Sequence, residues 1–434
     1  MKSRTIFQNN YNRLDGGSLV VEIMISFSLF ILFTITTFTL YSSISKMKQW
    51  SLNELNQMEV LSKNIINDVD LKTSYYGNYS KIFSNKLFSL SKSDFHKSWG
   101  RTYCDQKFVL NTNNYSLIQN SYDIGISNYS TDIEVRNGIV YLSADSSVSS
   151  KNDFFIFDSN DVNSIKLISS INTGPGVSGL EIAGPYAFLA QSSTVNQLQI
   201  IDIHDRYNPK IISQLRLPLP TSSTTPPFAK SIYYSNGYIY LGTEKWNGPE
   251  LSIISVQDPY NPIVIGVYET NTLINDILVI DNKAYLATSD EKQMRVLDIS
   301  NPSIPVLIDS FSPSGWQTQE GKVIDYFEEN ILLGRTVCGF NVQNNHELFV
   351  FSTSTSVKSK DIAGGVYGLL LRENKIFLIT HNSGKEFQIF DSASMNKIYE
   401  TGLNSNSVKM VCDNKNIYFA TGDSKGFSFI KNNE

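Results

Sequence analysis

The chain has 434 residues, of which 41% are hydrophobic and 18% are charged, and its formal net charge is −5 at pH 7. This composition is that of a folded protein and excludes global disorder. The length suits one large repeat domain with an appended segment. The charge, and the lack of a basic patch interleaved with aromatics, argue against nucleic-acid binding.

The first element in chain order is an apolar segment. Residues 19–41 carry Glu22 as their single charge, and a helix of these 23 residues would cross the roughly 30 Å hydrocarbon layer of a membrane. Lys2, Arg4 and Arg13 precede it, which predicts a cytoplasmic N-terminus and an extracytoplasmic bulk. A cleavable secretory signal is disfavoured, because its apolar stretch is only ~7–15 residues long and its small residues follow that stretch. Here the small residues come first.

The sequence around the acid has a recognisable order. A short basic leader and a glycine precede “SLVVEIMISFSLFILFTI”, in which Glu22 is the fifth residue. This pattern resembles the N-terminus of type IV pilins and pseudopilins, although Ser18 stands where that family usually has Phe or Met. The resemblance implies cleavage by a prepilin peptidase between Gly17 and Ser18, and methylation of the new N-terminus. It also implies that Glu22 neutralises the N-terminal amine of a neighbouring subunit in a filament, which offsets the cost of a carboxylate in lipid.

The helix is predicted to continue beyond the membrane. Apolar residues recur at helical spacing from Met47 to Val69, and neither Pro nor Gly interrupts residues 18–74. We therefore predict a leader at 1–17 and one long N-terminal transmembrane and stalk α-helix at 18–74. The polar and aromatic residues 75–106 are interpreted as a connector. A plain signal anchor is the alternative for the apolar segment, but it leaves the acid unexplained.

From residue 107 the chain becomes self-similar. A strand with an aromatic or apolar centre recurs seven times, from “GIVYLSA” at 138–144 to “NIYFATG” at 416–422. A short strand precedes each copy, and a third strand and usually a fourth follow it. Four short strands per ~45 residues are typical of a propeller blade. The sequence therefore predicts a mainly β fold, a seven-bladed β-propeller at 107–434, with six or eight blades as the alternatives.

The two ends of the repeat region are complementary. The seventh unit ends at its third strand, while “YSLIQNSYD” at 115–123 matches the fourth strands of other units. We predict that this N-terminal strand completes the last blade and closes the ring, which removes exposed sheet edges. Cys104 precedes the closing strand and Cys412 lies on the first strand of the same blade, so a disulfide between them is a hypothesis that leaves Cys338 unpaired.

The junctions between third and fourth strands carry a second resemblance. “IISVQDPYNPIVI” at 253–265 and its counterparts resemble the LVIVD-repeat family of propellers, over roughly residues 150–310. Aspartates recur at one place per blade, and because Asp and Pro fix turn geometry we predict a structural role for them rather than a metal site. These aspartates are Asp158, Asp202, Asp298 and Asp391.

The sequence offers few candidates for catalysis. The four histidines are isolated, and there is no HExxH motif, GxSxG elbow or glycine-rich phosphate loop after a strand. We therefore predict no enzymatic activity, no cofactor and no metal. Trp246 and Trp316 lie in Pro-containing connections, where large aromatics suit recognition of a sugar, peptide or surface polymer. Capping of the channel or packing between blades is the alternative role for both.

These features together predict a minor type IV pilin-like surface protein that presents its propeller as an adhesion or ligand-binding head at the tip of a pilus or pseudopilus. The predicted partners are the prepilin peptidase, other pilin-like subunits and an extracellular polymer or surface ligand of unknown identity. The chain would cross the cytoplasmic membrane once, with an extracytoplasmic C-terminal domain. One alternative is an anchored receptor or scaffold outside any filament. Another is a propeller hydrolase or lyase on a pilin anchor, which would need acids or His clustered at one channel mouth.

Overall fold

The computed structural model describes the propeller part of the chain. The described ranges are 115–118, 122–125, 128–146, 150–161, 163–221, 225–313, 319–327, 330–336, 346–352, 357–372, 374–403, 405–413 and 416–432. The predicted leader, transmembrane and stalk helix and connector lie outside these ranges, as do Gly17, Ser18, Glu22, Cys104 and Trp316. The described ranges contain no apolar helix of membrane-spanning length.

The described residues form 28 strands in seven four-stranded sheets, numbered here as blades 1 to 7. Blade 1 contains β2 (Asn128–Arg136), β3 (Ile139–Ser146), β4 (Phe154–Asp158) and β5 (Lys166–Ile171), and blade 2 contains β6 (Val177–Ala183), β7 (Tyr186–Gln191), β8 (Leu198–Asp202) and β9 (Lys210–Leu215). Blade 3 contains β10 (Ala229–Ser235), β11 (Tyr238–Thr243), β12 (Leu251–Ser255) and β13 (Ile263–Tyr268), and blade 4 contains β14 (Ile274–Ile280), β15 (Lys283–Thr288), β16 (Met294–Asp298) and β17 (Val306–Phe311). Blade 5 contains β18 (Gly321–Phe327), β19 (Asn330–Arg335), β20 (Leu348–Ser352) and β21 (Lys358–Lys360), and blade 6 contains β22 (Val366–Arg372), β23 (Lys375–Thr380), β24 (Phe387–Asp391) and β25 (Lys397–Thr401). Blade 7 contains β26 (Lys409–Cys412), β27 (Asn416–Ala420), β28 (Phe427–Asn432) and the N-terminal β1 (Tyr115–Ile118).

The core lies between the blades. Second and third strands such as β7 and β8 are almost wholly buried, whereas the outer strand β9 is largely exposed. The buried apolar clusters combine neighbouring blades, so that Phe188 of blade 2 and Ile232 of blade 3 share one cluster. Because both faces of an inner strand meet apolar neighbours, these strands are continuous hydrophobic runs rather than alternating ones.

The ring closes through the two ends of the propeller. The innermost strands pack side by side in chain order, and β26 of blade 7 returns to contact β2 of blade 1. Strand β1 pairs antiparallel with β28, with Tyr115 opposite Asn432 and Ile118 opposite Phe429. Blade 7 therefore takes its outer strand from the N-terminal side, as the sequence predicts for residues 115–123. The structure confirms the predicted seven-bladed propeller.

The innermost strands share a local irregularity. In blades 1 to 6, the pairing register between the innermost and second strands shifts by one residue near the start of the innermost strand. This shift marks a β-bulge. A bulge leaves one residue unpaired and re-aims its side chain. The bulge residues of the described strands are Thr131, Ser178, Lys230, Asn275, Lys322 and Tyr367.

A buried polar side chain just before the third strand recurs in the described parts of blades 1 to 6, and we call these residues the clamp side chains. Each forms a hydrogen bond with the backbone of the connection that leads to the next blade. In five blades the clamp oxygen accepts from a backbone N–H, and in blade 4 the amide of Gln293 donates to a carbonyl instead. The pairs are Asp153 with Thr173 (2.7 Å), Gln197 with Leu217 (2.9 Å), Glu250 with Thr270 (2.8 Å), Gln293 with Gln319 (2.8 Å), Glu347 with Ile362 (2.8 Å) and Glu386 with Leu403 (3.1 Å).

The recurrent aspartates at the ends of third strands have the predicted structural role. In each, a carboxylate oxygen accepts a hydrogen bond from a backbone N–H two or three residues further on, which fixes the following turn. The pairs are Asp158 with Asn160, Asp202 with His204, Asp298 with Ser300 and Asp391 with Ser394. Among the described residues, no group of three or more His, Cys, Asp or Glu side chains could hold a metal ion.

The clamp in blade 1 predicts a pH-dependent stability. Burial raises the pKa of Asp153 from 3.8 to about 6, and the hydrogen bonds from Thr173 only partly oppose it. Between pH 3.8 and about 6, the Asp153 carboxyl thus keeps a proton in the folded chain that it releases in the unfolded chain. This contribution to stability is present below pH 3.8 and is lost as the pH rises through about 6. It amounts to roughly 3 kcal/mol of unfolding free energy.

We expect Asp153→Asn to reduce this loss, because an amide oxygen already serves as the clamp at Gln197. The measurement is the free energy of unfolding in urea at about pH 4 and about pH 7.5, followed by circular dichroism. The reciprocal variant, Gln197→Glu, should add a loss of the same sign. Equal pH slopes for the wild type and both variants would contradict the assignment.

Candidate functional site

One end of the central channel opens into a cavity of about 780 Å³, called here the channel cavity. It lies where the innermost strands begin and the second strands end. Within the described residues, all seven blades contribute to its lining. All six bulge residues are part of that lining, so the bulges direct side chains from six blades toward one volume.

Three lysines of the described lining come from alternate blades. Lys230 lies on blade 3, Lys322 on blade 5 and Lys409 on blade 7. Lys322 Nζ donates a hydrogen bond of 3.3 Å to Asn275 Oδ1. Burial lowers the pKa of Lys322; the nearby Glu320 and Asp276 charges oppose this effect, and Lys409 and Lys230 add to it. The Lys322 ammonium group is thus close enough to those of Lys409 and Lys230 to be repelled by both.

Two of the lining acids join neighbouring blades. Asp132 Oδ2 accepts from the backbone N–H of Leu180 at 3.0 Å, and Asp276 Oδ2 accepts from that of Ile324 at 2.9 Å. Each bond runs from one innermost strand to the innermost strand of the next blade. Asp276 Oδ1 also lies 3.6 Å from Lys409 Nζ. These carboxylates therefore have a structural role in the ring as well as a place in the lining.

Asp145 is the third acid of the described lining, at the end of β3. Burial raises the pKa of its carboxyl, whereas the Lys230 charge and hydrogen bonds involving Ser146 and Ser192 oppose the rise. Ser192 Oγ donates to Asp145 Oδ2 at 3.4 Å. Asp145 is thus a half-buried carboxylate on the side of the cavity that blades 1 and 2 form.

An aromatic pair from blade 6 completes the lining. The rings of Tyr367 and His381 stack with centroids 3.5 Å apart and planes at 9°. His381 Nε2 lies 3.3 Å from the carbonyl oxygen of Ser407, so this nitrogen carries a proton and donates it. Burial lowers the pKa of His381, the hydrogen bond to Ser407 opposes this and the Lys322 charge adds to it. His381 is therefore neutral at neutral pH.

The predicted ligand-binding tryptophan has another set of contacts. Trp246 is half-buried in the β11–β12 connection, at the same end of the propeller as the channel cavity, but outside its described lining. Its indole Nε1 donates to the carbonyl oxygen of Pro249 at 3.0 Å, and its ring lies close to Gly248. Trp316 lies outside the described residues, so a ligand role for either tryptophan stays a prediction.

One cysteine of the predicted disulfide, Cys412, lies in the described part of the chain. Cys412 is fully buried and disulfide-bonded. Its proposed partner, Cys104, and the third cysteine, Cys338, both lie outside the described residues. The pairing of Cys104 with Cys412 therefore stays a prediction.

The cavity lysines carry a signal that sequence reasoning missed. The innermost strands of blades 3, 5 and 7 begin with “AKSIYYS”, “GKVIDYF” and “KMVC”, each with a lysine at or near its start. Aligning the repeats by their second strands places Lys230 and Lys322 at equivalent positions and Lys409 one position later. The recurrence of lysine at these strand starts could be read from the sequence. That the three lysines line one cavity follows only from the closed ring of blades.

The comparisons with known proteins support the fold. The sequence model of the LVIVD repeat matches residues 274–312, which correspond to blade 4. The resemblance predicted over roughly residues 150–310 is thus confirmed for one blade. Comparison with curated proteins gave no match.

Solved structures share the architecture at low identity. A chain of the Mitotic Checkpoint Complex is 11% identical with a TM-score of 0.55, over 74% of this chain and 95% of that chain. The WD40 β-propeller domain of Doa1 is 12% identical with a TM-score of 0.52, over 74% and 97%. The extracellular domain of a hybrid two-component system from B. thetaiotaomicron is 13% identical with a TM-score of 0.51, over 73% of this chain but 39% of that longer chain. These likenesses show the fold alone.

The bond from Asp276 to the next blade predicts a stability effect. We expect Asp276→Ala to lower the free energy of unfolding by about 1–3 kcal/mol, because the buried N–H of Ile324 loses its acceptor. Urea denaturation measures the change. The matched control is Asp309→Ala, which removes an exposed carboxylate that accepts from the adjacent Ser310 N–H. Equal effects of the two substitutions would contradict a role in joining the blades.

Proposed function

We propose that this chain is a surface-presented binding protein and that its ligand occupies the channel cavity of the propeller head. The observation that carries the proposal is that polar side chains from all seven described blades converge on this one cavity. Its volume of about 780 Å³ falls in the roughly 300–1,000 Å³ range of small-ligand sites. A site assembled from every blade depends on ring closure, so recognition and folding are coupled.

Presentation at the surface is the second part of the proposal, and it rests on the N-terminal sequence. Cleavage after Gly17 by a prepilin peptidase and methylation of Ser18 would prepare the chain for insertion among other pilin-like subunits. Glu22 would then pair with a neighbouring N-terminal amine. A head of this size does not repeat easily along a packed filament, so we place the chain at low copy number at a filament tip. Before assembly it would cross the cytoplasmic membrane once.

Binding rather than turnover is the proposed activity. The acids and histidine that an enzyme would need do share the channel mouth, but Asp132 and Asp276 accept hydrogen bonds from the next blade. A hydrolase or lyase is the second candidate, and it would have to use Asp145, whose pKa burial raises, with His381. Release of reducing ends from a soluble polysaccharide, lost in Asp145→Asn, would favour this second candidate over binding.

The first experiment is the intact mass and N-terminal sequence of the protein from its native membrane or sheared surface fraction. A chain that begins at Ser18 and is heavier by one methyl group is the expected result. A chain that begins at Met1 would contradict prepilin processing. The protein would then be an anchored propeller receptor or scaffold outside any filament.

The acid in the apolar segment gives a second test. We expect Glu22→Ala to remove the protein from the sheared surface fraction while leaving it in the membrane, because the neighbouring amine loses its counter-charge. The matched control is Glu59→Ala, which removes an acid outside the apolar segment. Quantitative immunoblotting of both fractions measures the effect. Normal shearing of the Glu22→Ala variant would contradict a role in assembly.

A further inference from the structure

The three lysines of the channel cavity differ in the groups that lie closest to their ammonium nitrogens. Asp276 lies against Lys409, with 3.6 Å between its Oδ1 and the lysine Nζ. Lys322 Nζ instead donates to the neutral Asn275 side chain, and Lys230 Nζ lies 5.5 Å from the centroid of the Phe228 ring. Three cationic side chains therefore lie on the arc from blade 3 to blade 7, with Asp276 of blade 4 as the acid between them. An anionic group bound between these lysines would relieve their mutual repulsion.

The opposite side of the cavity has a different chemistry. Blades 1 and 2 lie across the ring from blade 5, and they contribute Thr131, Asp145 and Ser178. Thr131 Oγ1 donates to the carbonyl of Val177 at 2.6 Å. Asp145 therefore offers a carboxylate acceptor beside these hydroxyls, within reach of the Lys230 charge. A bare anion would be repelled by this carboxylate, whereas hydroxyl groups would donate to it.

The aromatic pair lies between two of the lysines. Tyr367 and His381 belong to blade 6, next to blade 5 with Lys322 and blade 7 with Lys409. Aromatic side chains combine apolar area with a polar tip. They suit a ligand with an apolar face and polar edges, such as a sugar ring, placed beside the cationic arc.

We propose that the channel cavity binds an anionic sugar, with its carboxylate or phosphate among Lys230, Lys322 and Lys409 and its hydroxyl groups toward Asp145. The proposal rests on the proposed function in that it takes the channel cavity as the binding site. A uronic acid and a sugar phosphate share this chemistry. The volume of about 780 Å³ leaves room for more than one sugar ring, as the end of a polysaccharide requires.

The test is isothermal titration calorimetry of the full-length chain in detergent. The probes are glucuronate, glucose 6-phosphate, glucose and inorganic phosphate. We expect glucuronate or glucose 6-phosphate to bind at least about tenfold more tightly than glucose and inorganic phosphate, and to weaken as NaCl is added. The tighter binder of glucuronate and glucose 6-phosphate shows whether the ligand's charge comes from a carboxylate or from a phosphate. Equal binding of glucose, or inorganic phosphate as the tightest probe, would overturn the proposal, and so would no binding by any probe.

Variants assign the binding to this cavity. Lys322→Gln should weaken the anionic sugar by about tenfold or more, while Lys166→Gln, which removes an exposed lysine from β5, should leave it unchanged. The urea midpoint shows whether the Lys322 variant remains folded, and Lys230→Gln replaces it if it does not. Unchanged affinity in a folded cavity variant would overturn the proposal.

The outcome separates this inference from the proposed function. If the chain begins at Met1 and still prefers an anionic sugar, surface presentation in a filament is wrong and the ligand class stands. If the processed chain is found in the sheared fraction but binds glucose as tightly as glucuronate, surface presentation stands and the proposed ligand class is wrong.

Discussion

The propeller depends on a buried polar side chain just before the third strand of a blade. In the described parts of blades 1 to 6, this side chain holds the backbone of the connection to the next blade. The connection sets where the next innermost strand begins. Glu250 shows the effect clearly, since Oε2 accepts from the N–H groups of both Thr270 and Asn271. Buried polar groups that lose such partners are costly, so each of these six blades is tied to the connection that leads to the next one.

The channel cavity follows from that constraint. Once the start of an innermost strand is held in blades 1 to 6, the bulge near that start directs one side chain into the channel. The same short segment then serves two purposes: Asp276 joins blade 4 to blade 5, while its neighbour Asn275 faces the cavity and accepts from Lys322. Asn275 also joins these two blades, because its Nδ2 donates to the carbonyl of Gly321 at 2.8 Å. Asp276 in turn moderates the charge of Lys409 and Lys322.

The architecture was largely predictable from the sequence and the site was not. The repeat period, the order of strands within each repeat and the unmatched strand at 115–123 predict seven blades and the closure of the ring. These features could be read because each is a pattern in a short stretch of sequence. The cavity residues lie at bulges, where the alternation of side chains is interrupted, so strand periodicity does not tell which way Lys322 points. The aromatic residues in the loops predicted a ligand-binding role for Trp246, yet its indole N–H donates to the carbonyl oxygen of Pro249. The proposed processing at Gly17 rests on sequence alone.

Closure by β1 also has a mechanical meaning. The chain enters the propeller through this strand, and β1 meets the ring through four residue pairs with β28. If the head holds a ligand and the N-terminal segment is tethered, tension passes through the strand that completes blade 7. A pull strong enough to peel β1 away would remove the outer strand of blade 7, unless the predicted disulfide between Cys104 and Cys412 carried the load past it. Without that disulfide, the load that blade 7 withstands before it loses its outer strand would be set by one short antiparallel ladder.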